Sequence, residues 1–217
     1  MIISRQQRDK TRFSTTLNSC IIPVCCFLLS CLFVFGCGTS YTPKPRGYFK
    51  IILPDRGYQH FDNGACPFTF EYPTYGVINR DTVFLDTVPD NPCWFNITFP
   101  SLNGNLYMSY KEINGKKMLQ ELVEDAHQLT FKHTIKADYI DENYVETPNH
   151  VYGIYYEVGG NAASAVQFFV TDSNKHFLRG SLYFYNTPNA DSIAPVVNFI
   201  KPDIIELIKT LKWKEAS

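Results

Sequence analysis

The feature that most constrains the fold of this chain is a two-residue alternation of side chains in aromatic-rich runs. In CWFNITF, from Cys93 to Phe99, the odd-numbered residues form one apolar face and the even-numbered residues form the other. HFLRGSLYFY, from His176 to Tyr185, alternates in the same way and places Arg179 beside Ser181 on its polar face. This period is typical of half-buried antiparallel strands. We therefore expect Arg179 to face solvent.

Turn signals connect these strands into a meander. The runs VYGIYYEV and SAVQFFVT are separated by Gly159-Gly160-Asn161, which is a hairpin signal. The next turn is predicted at 172–175, where Asp-Ser-Asn-Lys precedes the last strand. The sequence thus predicts a four-stranded meander from about Ala137 to Tyr185.

Two segments change to the three-to-four-residue spacing of an amphipathic helix. The first runs from Lys116 to His133, and the second from Asp191 to Leu211. Asp191 or Ser192 is expected to cap the second helix, and Pro202 is expected to kink or restart it. An antiparallel sheet packed with two main helices is an α+β domain, and the order of elements resembles the Mog1/PsbP-type sandwich.

The N-terminus is typical of an export signal. Four basic residues precede a charge-free apolar stretch from Cys20 to Phe35. At 16 residues this stretch is shorter than the roughly 20 of a membrane-spanning helix. The alternative interpretation is that this stretch is a membrane-spanning anchor.

Two cysteines stand at candidate cleavage sites. Val34-Phe35-Gly36 before Cys37 resembles a bacterial lipobox, and Leu28-Leu29-Ser30 before Cys31 is the alternative. Cleavage at Cys31 would leave an exposed apolar start, so we favour lipidation at Cys37. The predicted organisation is a signal peptide at 1–36, a lipidated, Pro-rich tether at 37–46 and one domain at 47–217.

Cleavage at this point also simplifies the cysteine count. Of seven cysteines, four leave with the signal and Cys37 takes the lipid, so that Cys66 and Cys93 remain. Two cysteines in an exported protein can pair, and the alternative is two separate buried thiols.

Charge and motifs exclude several functional classes. Removing residues 1–36 leaves 16 basic and 20 acidic residues, and a net charge of −4 argues against nucleic acid as a partner. The five histidines do not fall at metal-binding spacings, and the sequence has no nucleophile elbow, HExxH or phosphate-binding loop. We therefore expect no metal, no cofactor and no enzymatic activity.

An ordered series of stretches resembles one family. The stretches are YTPKPRGYFKI, CPFTFEYP, LTFKHTIKAD, VYGIYYEVGGNAAS, QFFVTDSNKHFLRGSLYFY, PNADSIAPV and DIIELIKTLKWK. Together they are similar to the gliding-motility lipoprotein GldD family of Bacteroidetes, from Tyr41 to Lys214. The resemblance implies a cell-envelope lipoprotein required for gliding and linked to type IX secretion. It includes both remaining cysteines and so favours a Cys66–Cys93 disulfide.

These observations lead to a functional hypothesis. We expect a membrane-anchored accessory or scaffold protein that contacts other gliding or type IX secretion proteins. We expect it to face the periplasm, because the run after Cys37 lacks the acidic cluster of surface-exported lipoproteins. The alternative is a periplasmic small-ligand-binding lipoprotein, and a hydrolase is the weakest reading. Candidate contact residues, which could equally pack under the helices, are Trp94, Tyr107, Tyr155 and Tyr183.

Thr82 and Thr87 follow aspartate in sequences that resemble the Bacteroidetes O-glycosylation sequon.

Overall fold

In the part of the chain that the structure describes, ten strands and two α-helices make up the fold. A computed structural model describes residues 50–80 and 91–214. The strands are β1 Tyr58–Asp62, β2 Phe68–Pro73, β3 Val77–Arg80, β4 Phe95–Phe99, β5 Gly104–Glu112, β6 Ala137–Thr147, β7 Val151–Gly160, β8 Ser164–Thr171, β9 His176–Phe184 and β10 Lys212–Trp213. Helix α1 is Lys116–Phe131 and helix α2 is Ala190–Thr210.

The strands form two antiparallel sheets. Seven of them lie in the order β3-β4-β5-β9-β8-β7-β6, and the other three lie in the order β1-β2-β10. The four predicted meander strands are consecutive neighbours, β6 to β9. Gly160, at the end of β7, has a φ of +85°, a conformation that glycine adopts without steric cost. The α+β prediction and the meander are confirmed.

The main core lies between the large sheet on one side and the small sheet and α2 on the other. Phe61, Phe68 and Phe70 of the small sheet pack against Phe95 of β4, with ring centroids 5.0–6.4 Å apart. The alternation in the CWFNITF run thus has the predicted effect, since its odd-numbered residues are all at most 2% exposed. Burial of these large aromatic side chains is the main stabilising contribution to such a core.

Helix α1 packs on the opposite face of the large sheet and forms a second, smaller core. Leu122 and Ala126 are buried there against Tyr156, Phe169 and Phe177. The sheet is therefore covered on both faces over part of its width. This coverage changes the environment of the polar face of β9.

Helix α2 differs from its prediction at its start and at its proline. It begins one residue earlier than expected, so the cap is Asn189, whose side chain accepts a hydrogen bond from the Ser192 N–H; the prediction of Asp191 or Ser192 as the cap is wrong. It does not restart at Pro202, because residues 190–210 form one helix. The buried stripe around Ile200 and Ile204 contributes enough packing energy to offset the missing backbone donor.

Candidate functional site

A row of polar side chains crosses four strands beneath α1. The register places Asn96 of β4 opposite Tyr107 of β5, which lies opposite Ser181 of β9, which lies opposite Gln167 of β8. Asn96, Ser181 and Gln167 are buried, at 9%, 2% and 1% exposure. The polar face of β9 is therefore partly covered, because α1 packs on this face of the sheet, and the alternation of a single strand does not show which element packs on it.

Arg179 is held at the next position along β9. Its Nη2 donates to Gln167 Oε1 at 2.7 Å, and the same oxygen lies 3.4 Å from Ser181 Oγ and 3.3 Å from Thr130 Oγ1 of α1. Arg179 is thus half-buried and ordered by neutral groups, and the expectation that it is a solvated surface residue is wrong. A sequence signal for this would have been Thr130, a hydroxyl residue on the apolar stripe of α1.

Arg179 and Ser181 border an open groove, which we call the α1 groove, with a volume of about 830 Å³. It is defined by Trp94, Tyr107, Arg179 and Tyr183 on the sheet side and by Leu122 and Leu129 on the helix side. Ligand pockets in proteins commonly measure about 300–1,000 Å³ and combine apolar walls with a few polar groups. The α1 groove has the size and composition of a binding site.

The electrostatics of the groove centre on Arg179. Among the described residues, no carboxylate lies within 4.0 Å of its guanidinium. Burial lowers the pKa of Arg179 from its ordinary value, although the group stays protonated at neutral pH. Burial, followed by the charge of Arg179, also lowers the pKa of His133, whose ring lies 6.3 Å from that of Tyr183. His133 is therefore neutral at neutral pH, and Arg179 supplies the partly buried positive charge of the groove.

The four candidate contact residues divide into two groups. Trp94, Tyr107 and Tyr183 line the α1 groove, with Tyr107 and Tyr183 edge to face at 5.7 Å between centroids. The Trp94 indole N–H donates to the Tyr110 carbonyl oxygen at 2.7 Å, which fixes the ring at the groove wall. Tyr155 is 4% exposed and belongs to the main core, so its side chain is not available for surface contacts.

The structure joins Cys66 and Cys93 in a disulfide, as the family resemblance implied. Their Cα atoms are 5.5 Å apart, and both residues are 1% exposed. The bond ties the segment before β2 to the start of β4, next to Trp94. It therefore braces the sheet end of the groove.

A second buried polar cluster was missed by the sequence analysis. Asp203 of α2 is 1% exposed and accepts hydrogen bonds from the hydroxyls of Tyr58 and Tyr75, while the Arg56 Nε lies 3.3 Å from its Oδ1. The signal was its position, three residues after Ile200 and four before Leu207, on the apolar stripe. This cluster attaches the start of the domain to α2.

Several predicted features lie outside the described residues or are not found among them. The signal at 1–36, Cys37, the tether at 37–46, Thr82 and Thr87 all lie outside the described ranges, and so stay predictions. Within 50–80 and 91–214, no three His, Cys, Asp or Glu side chains are placed to hold a metal ion. In those same ranges, no helix combines the length and apolar character needed to cross a membrane.

The fold and the groove define a disulfide-bonded α+β domain with an open groove between α1 and the large sheet. The sequence matches the family described as gliding motility lipoprotein GldD over residues 38–213, and the chain belongs to that family. It is thereby assigned to the cell-envelope lipoproteins of gliding motility.

Comparison with solved structures finds a resemblance to a cyanobacterial protein. The solution structure of cyanobacterial PsbP (CyanoP) from Synechocystis sp. PCC 6803 is 14% identical in sequence, with a TM-score of 0.43, and covers 78% of this chain and 99% of its own. At this level of similarity no functional argument is drawn from it. A search of curated proteins gave no match.

Proposed function

We propose that the protein is an accessory or scaffold component of the gliding machinery, of type IX secretion or of both, and acts through protein contacts. The observation that carries the proposal is its membership of the gliding motility lipoprotein family over most of its length. In this proposal acyl chains on Cys37 hold the domain at a membrane, where it faces the periplasm. Two or more chains give stable attachment, whereas one chain binds only marginally.

The surface that best suits a protein partner is the edge strand β6. It pairs with β7 on one side and ends the order of the seven-stranded sheet on the other. An open strand edge can accept an additional strand from a partner. Tyr139 and Tyr144, at 52% and 86% exposure, add apolar contact area next to this edge.

The charge of β6 indicates the kind of segment that would bind there. Its sequence ADYIDENYVET contains four carboxylates and no basic residue. Charged residues also protect free strand edges from aggregation. The carboxylates of β6 can both prevent aggregation and select a partner if that partner presents an extended segment rich in lysine or arginine. Only such a partner neutralises the four carboxylates.

We further propose that the protein is not an enzyme. Ser181, the buried hydroxyl of the α1 groove, lies next to the amide of Gln167, which cannot act as a general base. The other groups on Gln167 are the Thr130 hydroxyl, which is not a base at neutral pH, and Arg179, which is always protonated. Among the described residues around Gln167, this arrangement lacks a means of activating the Ser181 hydroxyl as a nucleophile.

Photo-crosslinking in living cells of the native host tests the scaffold proposal. A photoreactive amino acid replaces Tyr144 on β6 and, as a matched control, Lys117 on α1, whose side chain is 92% exposed. We expect gliding or secretion subunits to be captured at position 144 and to be identified by mass spectrometry. If position 144 captures none of these subunits in cells that glide or secrete normally, the proposal of contacts through β6 is wrong.

A further inference from the structure

Arg179 is a half-buried cation without an anionic partner among the described residues. Its one hydrogen bond to a side chain in the described ranges is to Gln167 Oε1, a neutral group. Partial burial of an unpaired charge costs free energy that a bound anion would recover. The planar guanidinium still has other N–H donors, and it is suited to bidentate binding of a carboxylate.

The charges around the groove indicate how many negative charges a ligand would carry. Besides Arg179, the exposed Lys111 and Asp125 also line the groove, one of each sign. They contribute no net charge, so the inner part of the groove can compensate one negative charge. A second negative charge on the ligand would lie in partly buried surroundings without a cation, which is unfavourable.

The walls of the groove indicate the rest of the ligand. Tyr107 and Tyr183 present aromatic surface beside Arg179, and Leu122 and Leu129 present aliphatic surface from α1. Leu129 is 40% exposed although it lies at the groove, so the groove offers apolar area that the protein itself leaves uncovered. Such area favours an apolar or aromatic ligand body.

We propose that the α1 groove binds a small amphipathic monocarboxylate, with its carboxylate on Arg179 and its apolar body between the tyrosines and α1. The proposal assigns a ligand class to the groove and does not depend on the scaffold role of the protein. It predicts that both the charge and the apolar body are required for binding.

A ligand-observed NMR titration tests the proposal with a matched pair of probes. The full chain in nanodiscs of uncharged lipid is titrated with naphthylpropionate and with naphthylpropanol, which has no carboxylate; empty nanodiscs give the background. We expect the acid to bind more tightly than the alcohol. Arg179→Gln should weaken binding of the acid by about 10- to 100-fold, the usual effect of losing charge-assisted hydrogen bonds, and leave the alcohol unchanged. Lys117→Gln, which removes one exposed charge outside the groove, should change neither.

A second variant keeps the test valid if Arg179→Gln does not fold. Leu129→Glu places a carboxylate at an exposed position of the groove wall, where it repels the acid and has less effect on the alcohol. Gln120→Glu adds the same charge elsewhere on α1 and is the control. Equal binding of acid and alcohol, or acid binding that neither groove variant weakens, would overturn the proposal. Inhibition of acid binding by inorganic phosphate at the same concentration would also overturn it, since the site would then be a general anion site.

Discussion

At the scale of single residues, Asp203 shows how a buried carboxylate is stabilised. Its oxygens accept hydrogen bonds from Tyr58 and Tyr75, and Arg56 lies at ion-pair distance. Burial, followed by the hydrogen bond to Asp203, raises the pKa of Tyr58 to about 12, so its hydroxyl remains a donor over the physiological range. A buried charge is tolerated when it is paired and hydrogen-bonded in this way.

The two tyrosines are expected to differ in their contribution to stability. Tyr75→Phe should lower the free energy of unfolding by about 1–3 kcal/mol, because it leaves one oxygen of Asp203 buried without that donor. Tyr58→Phe should cost less, since Tyr58 is 42% exposed and water can replace its hydroxyl. Urea denaturation of both variants measures the difference, with Tyr144→Phe as an exposed control. Equal losses for Tyr75→Phe and the control would contradict the prediction.

Asp172 gives a pH-dependent contribution at the turn before β9. Its Oδ1 accepts hydrogen bonds from the N–H groups of Asn174, Lys175 and His176 at 2.8–3.0 Å. Burial alone raises the pKa of Asp172, but these donors lower it by more, so the pKa lies below its ordinary value. The stabilisation is therefore present above the unfolded-state pKa of about 4 and is lost as the pH falls through the folded-state pKa.

Asp172→Asn should remove this pH-dependent stabilisation. The variant should be about 1 kcal/mol less stable than the unmodified protein near pH 7, and the gap should close as the pH is lowered through the folded-state pKa of Asp172. Urea unfolding across that range measures the gap, and Asp141→Asn on the exposed strand β6 is the control. A gap that stays constant to low pH would show that the charge of Asp172 is not the cause.

At the scale of elements, the sequence of a single strand shows only, through its alternation, which residues share a face. The apolar face of β9 was predicted, because Leu178 and Leu182 alternate with polar residues. Both leucines are fully buried in the structure. The burial of Arg179 and Ser181 depends on α1, a helix from another part of the chain that packs on this face of the sheet. The amphipathic pattern of α1 shows that it packs on something but does not identify the sheet face. The groove could therefore not be predicted from sequence, although Trp94, Tyr107 and Tyr183 were named.

The Cys66–Cys93 bond is an element-scale constraint that can be tested. The bonded residues are 27 apart in sequence, and closing a loop of that length stabilises by about 3–4 kcal/mol on the chain-entropy estimate. We expect Cys66→Ala, Cys93→Ala and the double variant to lose similar stability in urea unfolding, because each removes the same bond. Reduction of the unmodified exported protein should add the mass of two hydrogen atoms. Additive losses for the two single variants would argue for two independent thiols.

At the scale of the whole molecule, the resemblance and the residue patterns contributed different information. Residue patterns predicted two helices and a meander because these depend on local periodicity. The ordered series of motifs predicted the family, which the match over residues 38–213 establishes. Neither indicated that Asp203 ties the start of the domain to α2, since that contact joins segments more than 100 residues apart, at a separation of 145 for Tyr58.

The last prediction concerns how the whole molecule is attached to the cell envelope. Cleavage after Gly36 and acylation of Cys37 should give a mature N-terminus at Cys37 that carries acyl chains. Mass spectrometry of the N-terminal peptide from the native membrane fraction measures this directly. Cys37→Ala should release the domain from the membrane. Without the acyl chains, the protein loses their free energy of membrane binding, which is about 0.8 kcal/mol per buried CH₂. Cys31→Ala is the matched control and should leave attachment intact. If Cys37→Ala instead remains in the membrane fraction while Cys31→Ala does not, lipidation belongs to Cys31, and if both remain attached, the apolar segment itself is the anchor.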